Sequence, residues 1–193
     1  MRMRIGLVVL GACAGLAMGE QVTGASGADE QSFEGSGALT ISLDISGMYF
    51  WDLQGAAFNE ILDVQIGSGM TVSAIGWDLT LSTVGASWAS EATFGFNDVL
   101  FLAPGVGDDF PGTGLSYSSG GLVDLTDNGF DNLMADVDGY ITIELFESFD
   151  DVAGEIDAYL ESGSVLRLEV SYPAPGSAMT LGLGLLCCGR RRR

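Results

Sequence analysis

The chain has no histidine and no lysine. The first absence excludes a Ser-His-Asp triad, a Cys-His dyad and imidazole metal ligands. The second excludes Schiff-base chemistry and a P-loop lysine. All seven basic residues are arginines, and six of them lie at the ends, at Arg2, Arg4 and Arg190–Arg193. Arg167 is the single basic residue amid 26 acidic ones, which all fall between Glu20 and Glu169. Such a field repels phosphate backbones, so nucleic acid is excluded as a partner. The three cysteines, Cys13, Cys187 and Cys188, sit in the terminal segments. The chain between them must therefore fold on an apolar core without disulfides. Of the enzyme classes, paired-carboxylate glycoside hydrolysis survives this inventory. With so many acids some pair is inevitable, so the sequence predicts a protein that is not an enzyme.

What is present begins with the two ends. The stretch MRMRIGLVVLGACAGLAMGEQ places two arginines before an apolar run from Ile5 to Met18, followed by small residues. That order predicts a secretory signal peptide over 1–19, cleaved between Gly19 and Glu20. A rival reading takes Leu10-Gly11-Ala12-Cys13 as a lipobox with Cys13 lipidated. Residues 20–32 are rich in small and acidic residues without periodicity and read as a flexible linker.

The other end reads PAPGSAMTLGLGLLCCGRRRR. Pro173, Pro175 and Gly176 break any element leaving the domain. A small and apolar run from Ser177 to Gly189 follows, shorter than the ~20 residues of a comfortable bilayer crossing. The cluster Arg190, Arg191, Arg192 and Arg193 marks a cytoplasmic end. This tail over 173–193 resembles the PEP-CTERM sorting signal of Gram-negative bacteria, in its planctomycete-type variant. It departs from the pattern at the central Glu, here Ala174. The resemblance implies a short transmembrane helix, transient membrane insertion and processing by an exosortase-like enzyme. It also implies an inner-membrane intermediate on the way to the cell surface or extracellular matrix.

Between the ends, residues 33–172 alternate with period two. LTISLDI puts Leu39, Ile41, Leu43 and Ile45 on one face; LDVQI, AIGWDLTLSTV, EATFGF, YITIELF and SVLRLEV repeat the pattern. Glycine and aspartate turn signals fall between, including Asp138-Gly139. One short helical turn is expected near Phe58–Leu62. The expected fold is all-β, an antiparallel two-sheet β-sandwich of jelly-roll or Greek-key type, with an N-terminal signal helix and a short C-terminal transmembrane helix. GWDLTLSTVGASWASEATFGF, followed by a Pro-Gly loop, also resembles the jelly-roll P domains of proprotein convertases.

Two site types follow. Calcium takes carboxylate and carbonyl oxygens from flexible loops. The acidic segments PGVGDDFPGTG, VDLTDNGFDNLMADVDG and ESFDDVAGEID supply them, with Asp108, Asp109, Asp127 and Asp151 as the candidate ligands. The alternative is that these aspartates close turns on their own backbone. Trp51 and Trp88 offer flat faces for sugar rings, whereas Trp77 is in phase with core residues. The function expected is that of an exported surface or matrix protein, structural or adhesive. The alternative is a calcium- or carbohydrate-binding module whose partner is extracellular polysaccharide.

Overall fold

The computed structural model describes residues 2–5, 32–34 and 38–171. The expected signal helix beyond Ile5, Gly19, Glu20, most of the linker, Pro173, Pro175, Gly176 and Arg190–Arg193 lie outside the described residues. Among the described residues no helix is long and apolar enough to cross a membrane.

The chain is all-β. Its strands are β1 (Arg2–Ile5), β2 (Ser32–Glu34), β3 (Ala38–Asp44), β4 (Tyr49–Phe50), β5 (Glu60–Gln65), β6 (Thr71–Thr83) and β7 (Ala92–Phe96). There follow β8 (Leu100–Leu102), β9 (Leu115–Ser118), β10 (Val123–Asp124), β11 (Leu133–Met134), β12 (Tyr140–Glu147), β13 (Ala158–Leu160) and β14 (Val165–Ser171). Each of the six alternating segments forms a strand: β3, β5, β6, β7, β12 and β14. The helical turn expected at Phe58–Leu62 is not there. Asn59 closes a turn onto Ala56, and the chain enters β5 at Glu60. The helical element among the described residues is a single 3₁₀ turn, Thr126–Asn128.

Two sheets pack face to face. One runs β1-β5-β12-β7-β8; the other runs β2-β3-β14-β6-β13-β4, with β9, β10 and β11 also on β6. All pairings are antiparallel except β1 on β5. The 13-residue β6 is the spine. One edge holds β14 and then β13, and the other holds β11, β10 and β9 in turn. Its two ends, at Thr71 and at Thr83, give the sandwich two distinct poles.

The core is the interior side of this alternation. Leu62, Val64, Phe94, Phe96, Ile143 and Leu145 of one sheet meet Leu43, Phe50, Leu81, Leu160, Leu166 and Leu168 of the other. Phe50 and Phe94 bridge the sheets edge to face, with centroids 5.4 Å apart. In β6 the alternation slips once. Glu169 opposes Ala74 and Val170 opposes Val72, so Ser73 is an extra residue. The resulting bulge lets Val72 and Ile75, three apart, both face inward. The Ser73 hydroxyl donates to Glu169 Oε1 at 2.9 Å across it. Gly139 is the one residue type that fits its turn. It sits at φ +88°, and a Cβ there would lie 2.6 Å from the Ser68 nitrogen.

Candidate cation site and aromatic face

At the Thr83 pole the chain crosses between sheets through the loop from Ser148 to Asp157, which links β12 to β13. Backbone bonds anchor both of its ends. The Glu147 N–H donates to the Asp52 carbonyl and the Ser148 N–H to that of Glu91, each at 2.9 Å. The Asp157 N–H donates to the Phe50 carbonyl, and the Val84 N–H to that of Asp157. In mid-loop the Gly154 N–H donates to Asp52 Oδ1 at 2.6 Å. Three strand ends and one loop thus converge on a single spot.

Alternation then dictates what faces inward. In β12, Ile141, Ile143 and Leu145 point into the core, and the next residue in phase is Glu147. Its carboxylate is fully buried (0 % exposed), and neither oxygen has a hydrogen-bond partner. Asp157 is 3 % exposed. Its Oδ1 accepts the Ser87 hydroxyl at 2.9 Å, while Oδ2 has no partner. Asp150 also holds its Oδ1 buried without a partner. Burial pushes the Glu147 carboxyl up to about 9, with further repulsion from Asp157, Glu91, Asp151 and Asp150. Burial raises Asp157 to about 6; the Ser87 bond opposes this, and Asp150, Asp151 and Asp52 add to it. Glu144, three residues earlier on the same strand, shows the ordinary solution to burial. Its Oε1 accepts the Gly55 N–H and the Asn59 side-chain amide, both at 2.7 Å. Arg167 is engaged elsewhere, with Asp78. Among the described residues no three acidic side chains already surround a common point at metal-binding distance.

The four sequence-predicted ligands are divided between the poles. Asp108 and Asp109 lie at the Thr83 pole, where the Ser90 N–H donates to the Asp108 carbonyl and the Ser90 hydroxyl to Asp109 Oδ1. Asp108 Oδ2 accepts the Tyr117 hydroxyl at 2.8 Å. Burial, then this carboxylate, holds the phenol up at about 12. Asp151 is exposed on the loop beside Glu147. Asp127 is at the opposite pole, on the 3₁₀ turn that follows the Leu125-to-Ser73 backbone bond. The four do not form one group. Glu147 is not singled out by the sequence, and Asp157, one of the acids of the segment ESFDDVAGEID, is not among the four candidate ligands, which followed the density of aspartates in loops. The available signal was an acid in phase with Ile141, Ile143 and Leu145.

Directly outside this pole lies an aromatic row. Phe50 points inward, so Tyr49 and Trp51 point outward, and Tyr159 is the strand partner of Tyr49. Tyr159–Tyr49, Tyr49–Trp51 and Trp51–Phe58 centroids are 6.4, 6.1 and 6.1 Å apart. Phe58 is 60 % exposed. Trp88 stands apart on the β6–β7 connection, its N–H donating to Glu91 Oε2 at 2.8 Å. Trp77 packs at the margin of the core as expected, yet it also lines an open cavity of ≈ 250 Å³ with Leu100, Leu125 and Phe130. Comparison of the chain with family models, curated proteins and solved structures finds no match.

Proposed function

We propose that this chain is an exported, non-enzymatic protein of the cell surface or extracellular matrix. Its β-sandwich is an adhesive module that takes neutral polysaccharide. Export rests on the order of parts in the two terminal segments. Residues 1–19 act as the leader, and residues 173–193 are the exosortase-type sorting signal that inserts transiently in the membrane. The sandwich itself is read as a jelly roll. The support is strand order: leaving aside the edge strands β1 and β2, and with β3/β4, β13/β14 and β9–β11 each taken as one interrupted strand, the sheets run first-eighth-third-sixth and second-seventh-fourth-fifth in chain order. That is the order of two interleaved Greek keys.

The observation that carries the adhesive reading is the continuous row Tyr159–Tyr49–Trp51–Phe58. Tyr49 and Tyr159 sit on paired strands and Trp51 and Phe58 on the loop that follows; these neighbouring rings, inclined to one another by 30–61°, offer aromatic surface for sugar rings with little loss of side-chain freedom. The charge of −19 selects against acidic polymers and leaves neutral ones. Affinity electrophoresis of the full chain in gels containing neutral or anionic polysaccharide tests this. The expected result is retardation in a neutral gel alone, lost in Trp51→Ala and kept in Trp88→Ala. Equal mobility in every gel contradicts it. N-terminal sequencing of surface-recovered protein should begin at Glu20; a lipidated Cys13 contradicts that route.

A further inference from the structure

We propose that Glu147, Asp150 and Asp157 form a calcium site, closed by the loop from Ser148 to Asp157. The inference stands apart from the adhesive reading and uses different residues.

An abundance of acids would not support it, since this chain has acids everywhere. The support is that all three groups present buried oxygens with no donor, and Glu147 presents two. A buried carboxylate is stable when hydrogen-bonded, paired with a cation or protonated. Glu144 takes the first course with the Gly55 and Asn59 donors. Glu147 has no donor, and Arg167 is bound to Asp78. What remains is a proton or an ion from outside. Asp52, Glu91 and Asp151 add negative charge around the same spot. That setting favours a divalent cation over one proton per carboxylate.

The donor set chooses the ion. All donors are oxygens, since the chain has no histidine and its cysteines lie in the terminal segments. This disfavours zinc and copper and suits a hard cation. Magnesium demands a tight octahedron, whereas calcium accepts irregular sets of six to eight oxygens. The donors here come from a strand end, a loop and the start of a second strand, which is an irregular set. They do not yet surround one point. Binding therefore draws the loop, with Asp150 and Asp151, towards Glu147 and Asp157. Gly154, at φ +78° and tied to Asp52, is the fixed point about which the two halves of the loop close. Asp151, exposed on that loop, is the candidate ligand from the sequence that joins the rim. Asp127, at the other pole, takes no part.

The test uses the full chain stripped with a chelator. Terbium, an oxygen-seeking calcium surrogate, is titrated while tryptophan-sensitised emission is recorded, and calcium is then added in competition. The expected result is saturation at about one ion per chain and displacement by calcium at micromolar to millimolar concentration. Glu147→Gln and Asp157→Asn should each weaken calcium by about tenfold or more, and Asp127→Asn should leave it unchanged. Emission that never saturates overturns the proposal, as does full calcium affinity in Glu147→Gln. Should both core variants fail to fold, Asp150→Asn on the loop gives the same reading. Weakened calcium binding there supports the site, and unchanged binding removes it.

Discussion

The two poles of the sandwich both carry carboxylates and use them in opposite ways. At the Thr71 pole the carboxylates are exposed and serve the backbone. Asp136 Oδ1 accepts the N–H groups of Asp138 and Tyr140 at 2.9 and 2.8 Å. Asp124 Oδ1 accepts the Thr126 hydroxyl and the Asp127 N–H. Those bonds hold the Asp124 carboxyl below its usual range, the Thr126 bond most of all. At the Thr83 pole Glu147 is buried with no donor, Asp157 is buried with one oxygen left without a donor, and both are pushed upward. The lesson is that acidity in a sequence has two physical meanings. An acid in a turn closes that turn, whereas an acid in phase with a core face must be neutralised by something else.

The largest expected effect separates the poles by pH. In the metal-free chain Glu147 and Asp157 hold protons that the unfolded chain releases, because their folded values of about 9 and 6 exceed 4.5 and 3.8. The folded state therefore binds more protons across that window, and stability must fall as pH rises through it. The loss is on the order of several kcal/mol between pH 4.5 and 9, read by denaturant unfolding in chelator. A flat profile would erase the difference between the poles. Next in size, Glu147→Gln in chelator at pH 8 should stabilise the fold by roughly 1–3 kcal/mol and remove most of the pH slope. Asp136→Ala should cost roughly 0.5–2 kcal/mol with or without calcium, because it strips two N–H groups of their acceptor. Asp136→Asn keeps an acceptor and should recover most of that loss. Smallest, Asp127→Asn should stay within about 0.5 kcal/mol of the parent at any calcium concentration.

Much of the fold was legible because its long strands alternate strictly. Leu39 to Ile45 and Leu166 to Val170 can lie in one register alone without exposing the core. The strands of two to four residues, β4, β8–β11 and β13, were not legible. So few residues show no period, and these strands exist because a neighbour offers each an edge: β6 to β9, β10, β11 and β13, β7 to β8, and β13 to β4. The strand order within each sheet depends on such long-range pairings. Of the candidate ligands read from the sequence, Asp151 lies on the loop of the proposed site and Asp108 and Asp109 lie on a segment at the same pole. The sequence did not yield Glu147, because a glutamate ending a strand looks like a solvated terminus until the parity from Ile141 is followed. Asp157 was visible as one more acid of the segment ESFDDVAGEID, with nothing to mark it as buried. It is buried by the Ser87 hydroxyl and by backbone bonds to Phe50 and Val84, all distant in sequence. Trp51 was visible as a candidate sugar platform, but its place beside Tyr49 and Tyr159 depends on the β4–β13 pairing.

Proton release on calcium binding tests the central claim most directly. With calcium absent, Glu147 holds its proton at neutral pH; with calcium bound, it cannot. Titrating calcium into weakly buffered, chelator-stripped chain at pH 7 should release about one proton per ion bound, and Glu147→Gln should release almost none. Calcium that binds without releasing protons, or equal release from both chains, would contradict the account of the Thr83 pole.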